Sequence, residues 1–203
     1  MDTPKEMWES RYADSGYVYG TAPNDYLVAC AEGLTPGRAL CLADGEGRNG
    51  VYLATLGFEV TSVDLTQAGM GKASHLATER DVSISTVVAD LADFDLGDGR
   101  WDLIVSIFAH MPPAIRQPLH GRIAAALAPG GKFVLEAYTP DQIGRGTGGP
   151  PNPALTMTLA GLTAELVDLN IVEGREVVRS VIEGPGHTGD GAVVQLVAEH
   201  STP

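Results

Sequence analysis

Residues Ala39 to Leu53 read ALCLADGEGRNGVYL, and no other stretch narrows so far what this chain can fold into. The small and apolar run Ala39 to Leu42 suits a buried strand. Gly45, Gly47 and Gly50 follow at the spacing G-x-G-x-x-G, and Val51, Leu53, Ala54 and Leu56 then recur at helical spacing. Strand, glycine turn and helix form the geometry in which backbone reaches a nucleotide-like ligand with no Cβ in the way. About twenty residues further on, the apolar run FEVTSV ends in Asp64, where a carboxylate accepts hydrogen bonds from both ribose hydroxyls of an adenosine. The chain therefore reads as binding an adenosyl cofactor.

The rest of the pattern alternates around that unit. Strands are expected near 38–43, 58–63, 84–88, 101–107 and 131–138, with helices near 47–56, 66–79, 112–127 and 154–167. Such alternation implies parallel βαβ units. Ahead of it, Thr3-Pro4-Lys5-Glu6 has the cap, the proline and the acid of a capping box, opening a helix to about Asp14. The aromatic SGYVYGTAPND is expected to be irregular, and a short helix covers about 24–32. At the other end NIVEGREVVRSVIE and AVVQLVAEH, separated by GPGHTGDG, predict an antiparallel hairpin, with His187 in its turn. GRGTGGPPNP (Gly144 to Pro153) reads as a loop. The expected fold is α/β, a doubly wound, mostly parallel seven-stranded sheet with helices on both faces and a C-terminal antiparallel hairpin. It forms one domain over 1–203, with 1–35 as a helical lid and 36–203 as the core.

Charge limits the partners. The net charge of −13 and the lack of any Lys/Arg cluster speak against nucleic acid and against a lipid surface, leaving a small molecule. No apolar run approaches the roughly 18 residues of a membrane span, and MDTPKEMWES has no secretory pattern. Two cysteines, Cys30 and Cys41, fit a reducing cytoplasm, and no metal-ligand spacing occurs.

Several motifs together resemble the class I S-adenosylmethionine-dependent methyltransferases, in their small-molecule, tellurite-resistance-type branch. WESRY, YVYGTAPNDYL, GEGRN, VTSVD, VVADLADFDL, FAHMPP and LAPGGKFVLEAY occur in that branch's order and cover nearly the whole chain. The resemblance implies S-adenosylmethionine as cofactor and S-adenosylhomocysteine as product. It places Ala43, Gly45, Glu46, Gly47 and Asn49 near the methionyl part and ribose. Asp64 would bind the ribose, Leu65 and Leu91 would pack on the adenine, and Asp90 would accept from its amino group, with Ser106 nearby. One departure stands out. Cys41 takes the usual acidic position and Ala43 that of the first glycine, so Asp44 is expected either to supply the carboxylate for the cofactor's ammonium or simply to sit in the turn. Ala43 is expected to avoid a positive φ.

The acceptor side is expected at the end of the fourth strand, where His110 points into the cleft as a base or an orienting group or, alternatively, bonds to backbone. Tyr19, Tyr138, Arg145 and His187 are further catalytic candidates. Trp8, Tyr12, Tyr17 and Tyr19 form either an aromatic lid or a packing stripe. The acceptor is expected to be a thiol, an amine, a halide or a tellurium or selenium oxyanion, handled by a monomer or homodimer. Two other readings fit parts of the pattern: a nicotinamide-dependent oxidoreductase, and a non-catalytic S-adenosylmethionine-binding module.

Overall fold

The computed structural model describes residues 3–200. Seven strands form one sheet: β1 (Arg38–Leu42), β2 (Glu59–Asp64), β3 (Ser85–Val88), β4 (Trp101–Ile107), β5 (Leu127–Tyr138), β6 (Asn170–Glu183) and β7 (His187–Glu199). Their order is β3-β2-β1-β4-β5-β7-β6. The first five run parallel, and β7 pairs antiparallel with both β5 and β6. Chain direction reverses its march across the sheet between β1 and β4, so a crevice opens at the carboxyl ends of those strands.

Two-residue alternation sorts the strand side chains onto two cores. Leu40, Leu42, Ile104, Phe133 and Leu135 pack against Leu119 and Ile123 of α5 (Pro113–Ala126) and Leu162 of α6 (Leu159–Glu165). Ala39, Cys41, Leu103, Val105 and Val134 face the other way, toward Leu27 of α2 (Asp25–Ala31) and Leu53 of α3 (Arg48–Thr55). Near-continuous apolar strands are what a sheet covered on both faces requires.

The first helix behaves as local chemistry dictates. In α1 (Pro4–Tyr12) the Thr3 hydroxyl accepts from Glu6 N–H at 3.2 Å while Thr3 N–H donates to the Glu6 carboxylate at 2.8 Å, closing the capping box. Glu9 of the same helix caps α4 (Gln67–Glu79), accepting from Gln67 and Ala68 N–H at 2.9 and 3.0 Å. The N-terminal segment is thereby fastened beside the crevice.

Three boundaries differ from expectation. β5 starts at Leu127, directly after α5, because Trp101 pairs with Leu127 across a register shift that absorbs LAPGG. α6 starts at Leu159 rather than 154, since Pro153–Leu155 forms a 3-10 turn and Thr158 supplies the cap, accepting from Gly161 N–H at 3.1 Å. β7 starts at His187, so the hairpin connection is only Gly184-Pro185-Gly186 and HTGDG belongs to the strand. The ladder from Glu183↔His187 to Arg179↔Gly191 holds these poor strand formers in place.

Candidate functional site

The glycine turn leaves β1 through a strained residue. Ala43 has φ +49°, in the left-handed region, which overturns the expectation that a Cβ there excludes a positive φ. The chain must bend sharply at this point so that Asp44 N–H reaches the Val63 carbonyl (3.1 Å) and Gly45 N–H reaches the Asp64 carboxylate (3.0 Å). Those tertiary bonds offset the roughly 1–2 kcal/mol that a left-handed alanine costs. At Gly47 (φ +87°) the need for glycine is absolute, because a Cβ would fall onto Ala73 of α4.

The predicted cofactor residues divide into those that reach the cavity with free bonding capacity and those already engaged. Asp64 is 7% exposed; its carboxylate accepts from Gly45 N–H and from the Thr66 N–H (3.0 Å) and hydroxyl (2.7 Å). A carboxylate has about four acceptor sites, so capacity toward the cavity remains. Burial raises its pKa, opposed by the Thr66 and Gly45 bonds. Asp90 is exposed, with one oxygen taken by Ala92 N–H at 2.9 Å. Leu65 and Leu91 line the cavity on the same side.

Three assignments look different in three dimensions. The Asp44 carboxylate turns toward α3 and β2, accepting from the Ser62 hydroxyl at 2.7 Å and from Gly50 N–H at 3.2 Å. Burial pushes its pKa up to about 7. Glu46 clasps the N-terminal segment, accepting from Val18 N–H (2.8 Å), Tyr19 N–H (3.4 Å) and Lys72 Nζ (2.7 Å). Ser106 shares the parity of Ile104 and faces the α5 side of the sheet, whereas Val105 and Ile107 line the cavity. Asn49 does sit at the start of α3, its side-chain oxygen accepting from Asn24 N–H at 3.0 Å.

Of the acceptor-side candidates, four converge and one does not. His110 Nδ1 bonds the Leu155 carbonyl at 2.9 Å and Nε2 accepts from Tyr138 N–H at 3.4 Å, the backbone-bonded alternative. Burial lowers its pKa to about 4. Tyr138 stacks behind Phe108 (ring centroids 4.6 Å) and His110 (5.6 Å), fully buried, with its hydroxyl unpartnered. His187, the first residue of β7 rather than a loop residue, lies edge-on to Phe108 and Tyr138 at 4.8 and 5.2 Å. Tyr19 covers it at 4.5 Å. Arg145 is exposed, its Nε donating to the Asp141 carbonyl at 2.9 Å, and does not line the cavity, although Gly148 to Asn152 of the same loop do. Trp8 stacks on Tyr12 at 5.5 Å, as in a packing stripe, and both line the cavity with Tyr19; Tyr17 instead reaches the Lys72 carbonyl of α4.

A buried polar network was invisible to the sequence pattern. Asn24 Nδ2 donates to Glu136 at 2.5 Å and Glu183 at 2.7 Å; Arg179 donates to the same two carboxylates, and Arg48 pairs with Glu183. It locks the α2 cap, the start of α3 and strands β5 and β6 into one block. Phe108 was also missed as a site residue; its φ of +52° is a second strained backbone beside the cavity.

Together these groups border a cavity of about 1200 Å³ at the carboxyl ends of β1, β2 and β4. That exceeds the ~300–1,000 Å³ typical of one small-ligand pocket, leaving room for a cofactor and a second molecule. The glycine turn bares backbone, Asp64 offers acceptor capacity, and Leu65, Val88 and Leu91 offer a flat apolar wall, so the residues fit an adenosyl sulfonium. Among the described residues no cluster of metal ligands occurs, and no helix is long and apolar enough to cross a membrane.

Fold and cavity together define an α/β protein of the methyltransferase plan. A family profile described as a methyltransferase domain matches residues 39–131. A 2-heptyl-1-hydroxyquinolin-4(1H)-one methyltransferase of Mycobacteroides abscessus is 27% identical over 154 residues, 68% of each chain. A probable S-adenosyl-L-methionine-dependent methyltransferase, TehB of Haemophilus influenzae, is 31% identical over 91 residues, covering 45% of this chain and 32% of that protein. A structure solved for the conversion of a disulfide bond into a thioacetal group during echinomycin biosynthesis has a TM-score of 0.80 at 20% identity, over 97% of this chain and 91% of that one. The chain thus spans about two thirds of one curated relative and about a third of the other. Over these stretches the chain is similar to class I S-adenosylmethionine-dependent methyltransferases, TehB among them, and its cofactor is S-adenosylmethionine. None of these matches is to a nicotinamide-dependent oxidoreductase.

Proposed function

We propose that the protein transfers a methyl group from S-adenosylmethionine to a small-molecule acceptor in the cytoplasm, with residues 1–35 closing over the site as a lid. The observation that carries this reading is the continuous cavity running from the glycine turn and Asp64 to the aromatic wall at Phe108 and His187. The cofactor, when bound, supplies a methyl group already activated on a sulfonium. What the chain must supply is placement and dryness, worth roughly 7–11 kcal/mol at the upper end.

The residues divide that labour. Backbone at Gly45 and Gly47, with Asn49, holds the methionyl end. Asp64 takes the ribose hydroxyls, Leu65 and Leu91 sandwich the adenine, and Asp90 meets its amino group. Asp44 braces the turn from beneath, and Glu46 latches the lid to it. His110, tied to backbone at both ring nitrogens, holds the Leu155 turn against β5 and orients the acceptor pocket without taking a proton. Among thiols, amines, halides and oxyanions, the ring-lined wall favours organic acceptors. The name of the mycobacterial relative, a hydroxyquinolone methyltransferase, points the same way.

A radiolabel screen tests this: protein and methyl-labelled cofactor are incubated with thiols, amines, hydroxylated heterocycles, iodide and tellurite. Labelled organic product is expected. Tight S-adenosylhomocysteine binding with no labelled product from any class would favour a non-catalytic binding module instead.

A further inference from the structure

The inner end of the cavity holds an imidazole whose hydrogen bonding is unfinished. His187 is 7% exposed, and its Nδ1 has no partner among the described residues. A phenylalanine would pack equally well among these rings, so burying an unpaired nitrogen there gains nothing for the fold. Three aromatic rings surround it: Phe108 and Tyr138 from the sheet, and Tyr19 from the segment between α1 and α2.

Tyr19 differs from the other two in how it is held. Phe108 and Tyr138 belong to strand ends in the core. Tyr19 rides on a segment fastened by a few hydrogen bonds: to Glu46 from Val18 and Tyr19 N–H, and from Gly186 N–H to the Val18 carbonyl at 3.1 Å. The segment lies so close on the hairpin turn that a Cβ at Gly184 would sit 2.6 Å from the Val18 carbonyl oxygen. The Tyr19 hydroxyl itself points to the rim, accepting from Arg11 at 3.2 Å, and leaves His187 unserved.

We propose that Tyr19 occupies the acceptor's place, and that this slot takes a flat, uncharged aromatic ring carrying an O–H or N–H, which displaces the Tyr19 ring and bonds Nδ1 of His187. The inference rests on the methyltransferase reading above. Its elements are the rings of Phe108 and His187, which line the cavity beside Tyr19, and the unpaired Nδ1 of His187; the Tyr138 hydroxyl, also without a partner among the described residues, lies behind Phe108 and is not part of the cavity lining. Charge agrees with it. Burial, and then the nearby Arg48, lower His187 to about 3, and burial lowers His110 to about 4, so neither presents a cation at neutral pH, and Lys5 and Arg11 stand on exposed α1 at the mouth. Arg48 also lines the cavity but is already paired with Glu183, so a compact oxyanion would have to compete with that carboxylate for its counter-charge.

The test is a calorimetric titration of S-adenosylhomocysteine-loaded protein with 6-hydroxyquinoline, with quinoline as its hydroxyl-free counterpart, and with tellurite. Wild type is expected to bind 6-hydroxyquinoline most tightly. In His187→Phe its affinity should fall about tenfold while quinoline changes by less than about twofold. Tyr19→Ala should hold both rings at least as well as wild type, because the competing ring is gone. Tellurite binding more tightly than either ring, no ring binding at all, or equal losses for both rings in His187→Phe would overturn the assignment of His187. Weaker ring binding in Tyr19→Ala would overturn the place-holder role. If wild type failed to bind S-adenosylhomocysteine in the loading step, the cofactor reading itself would fall.

Discussion

Ala43 carries a left-handed backbone at the position where this family's turn ordinarily has its first glycine, and the strain is local and removable. Ala43→Gly should therefore raise stability by about 0.5–1 kcal/mol, the left-handed relief outweighing the added chain entropy, as read from the urea midpoint. Buried titratable groups set two opposite pH dependences. Asp44 has a folded pKa of about 7, above its ordinary 3.8, so its contribution to stability is full below about pH 4 and is lost as pH rises through 7. Asp44→Asn should gain on wild type across that window. His187 and His110 have folded values of about 3 and 4, below the ordinary 6.5; their contribution is full above 6.5 and is lost as pH falls. His187→Phe should gain on wild type as the medium is acidified below 6.5. Urea midpoints measured from pH 4 to 8 check both signs.

The elements that local chemistry specifies were legible in the sequence, and those that distant contacts specify were not. The capping box of α1, the glycine turn into α3 and the prolines before α5 each lie within a few residues of what they control. The start of β7 is different: His187-Thr-Gly-Asp-Gly reads as a turn, yet pairing with β6 makes it strand and carries His187 into the cavity wall. The polar network joins Asn24 to residues 112 and 159 positions away, beyond any periodicity. Removing one partner leaves buried charge behind, so Glu183→Ala should cost about 3–5 kcal/mol in chemical denaturation. Glu46, which read as a cofactor contact, fastens the segment at Val18 and Tyr19. Glu46→Ala should speed amide exchange at Val18 and Tyr19 by about tenfold or more while leaving α3 protected; unchanged exchange there would mean the latch does not hold the segment.

At the scale of the whole molecule, the strand order alone dictates where a ligand lies. The order of strand addition reverses between the parallel β1 and β4, and the cavity opens at their carboxyl ends, as alternating strands and helices foretold. The sequence also placed the acidic groups at the ends of β2 and β3, because a strand's end is punctuated by its own turn. It could not show which of the carboxylates lining the cavity are already engaged, since that depends on packing between segments: Asp64 and Asp90 keep acceptor capacity, while Asp44 and Glu46 brace structure. In the proposed function Asp64 is the residue on which cofactor binding turns. Titration of S-adenosylhomocysteine into wild type and into folded Asp64→Ala, with NAD as the control ligand, is the decisive measurement. Wild type should bind S-adenosylhomocysteine and not NAD, and the variant should lose about a hundredfold in affinity. NAD binding in its place, or undiminished affinity in Asp64→Ala, would contradict the placement of the cofactor.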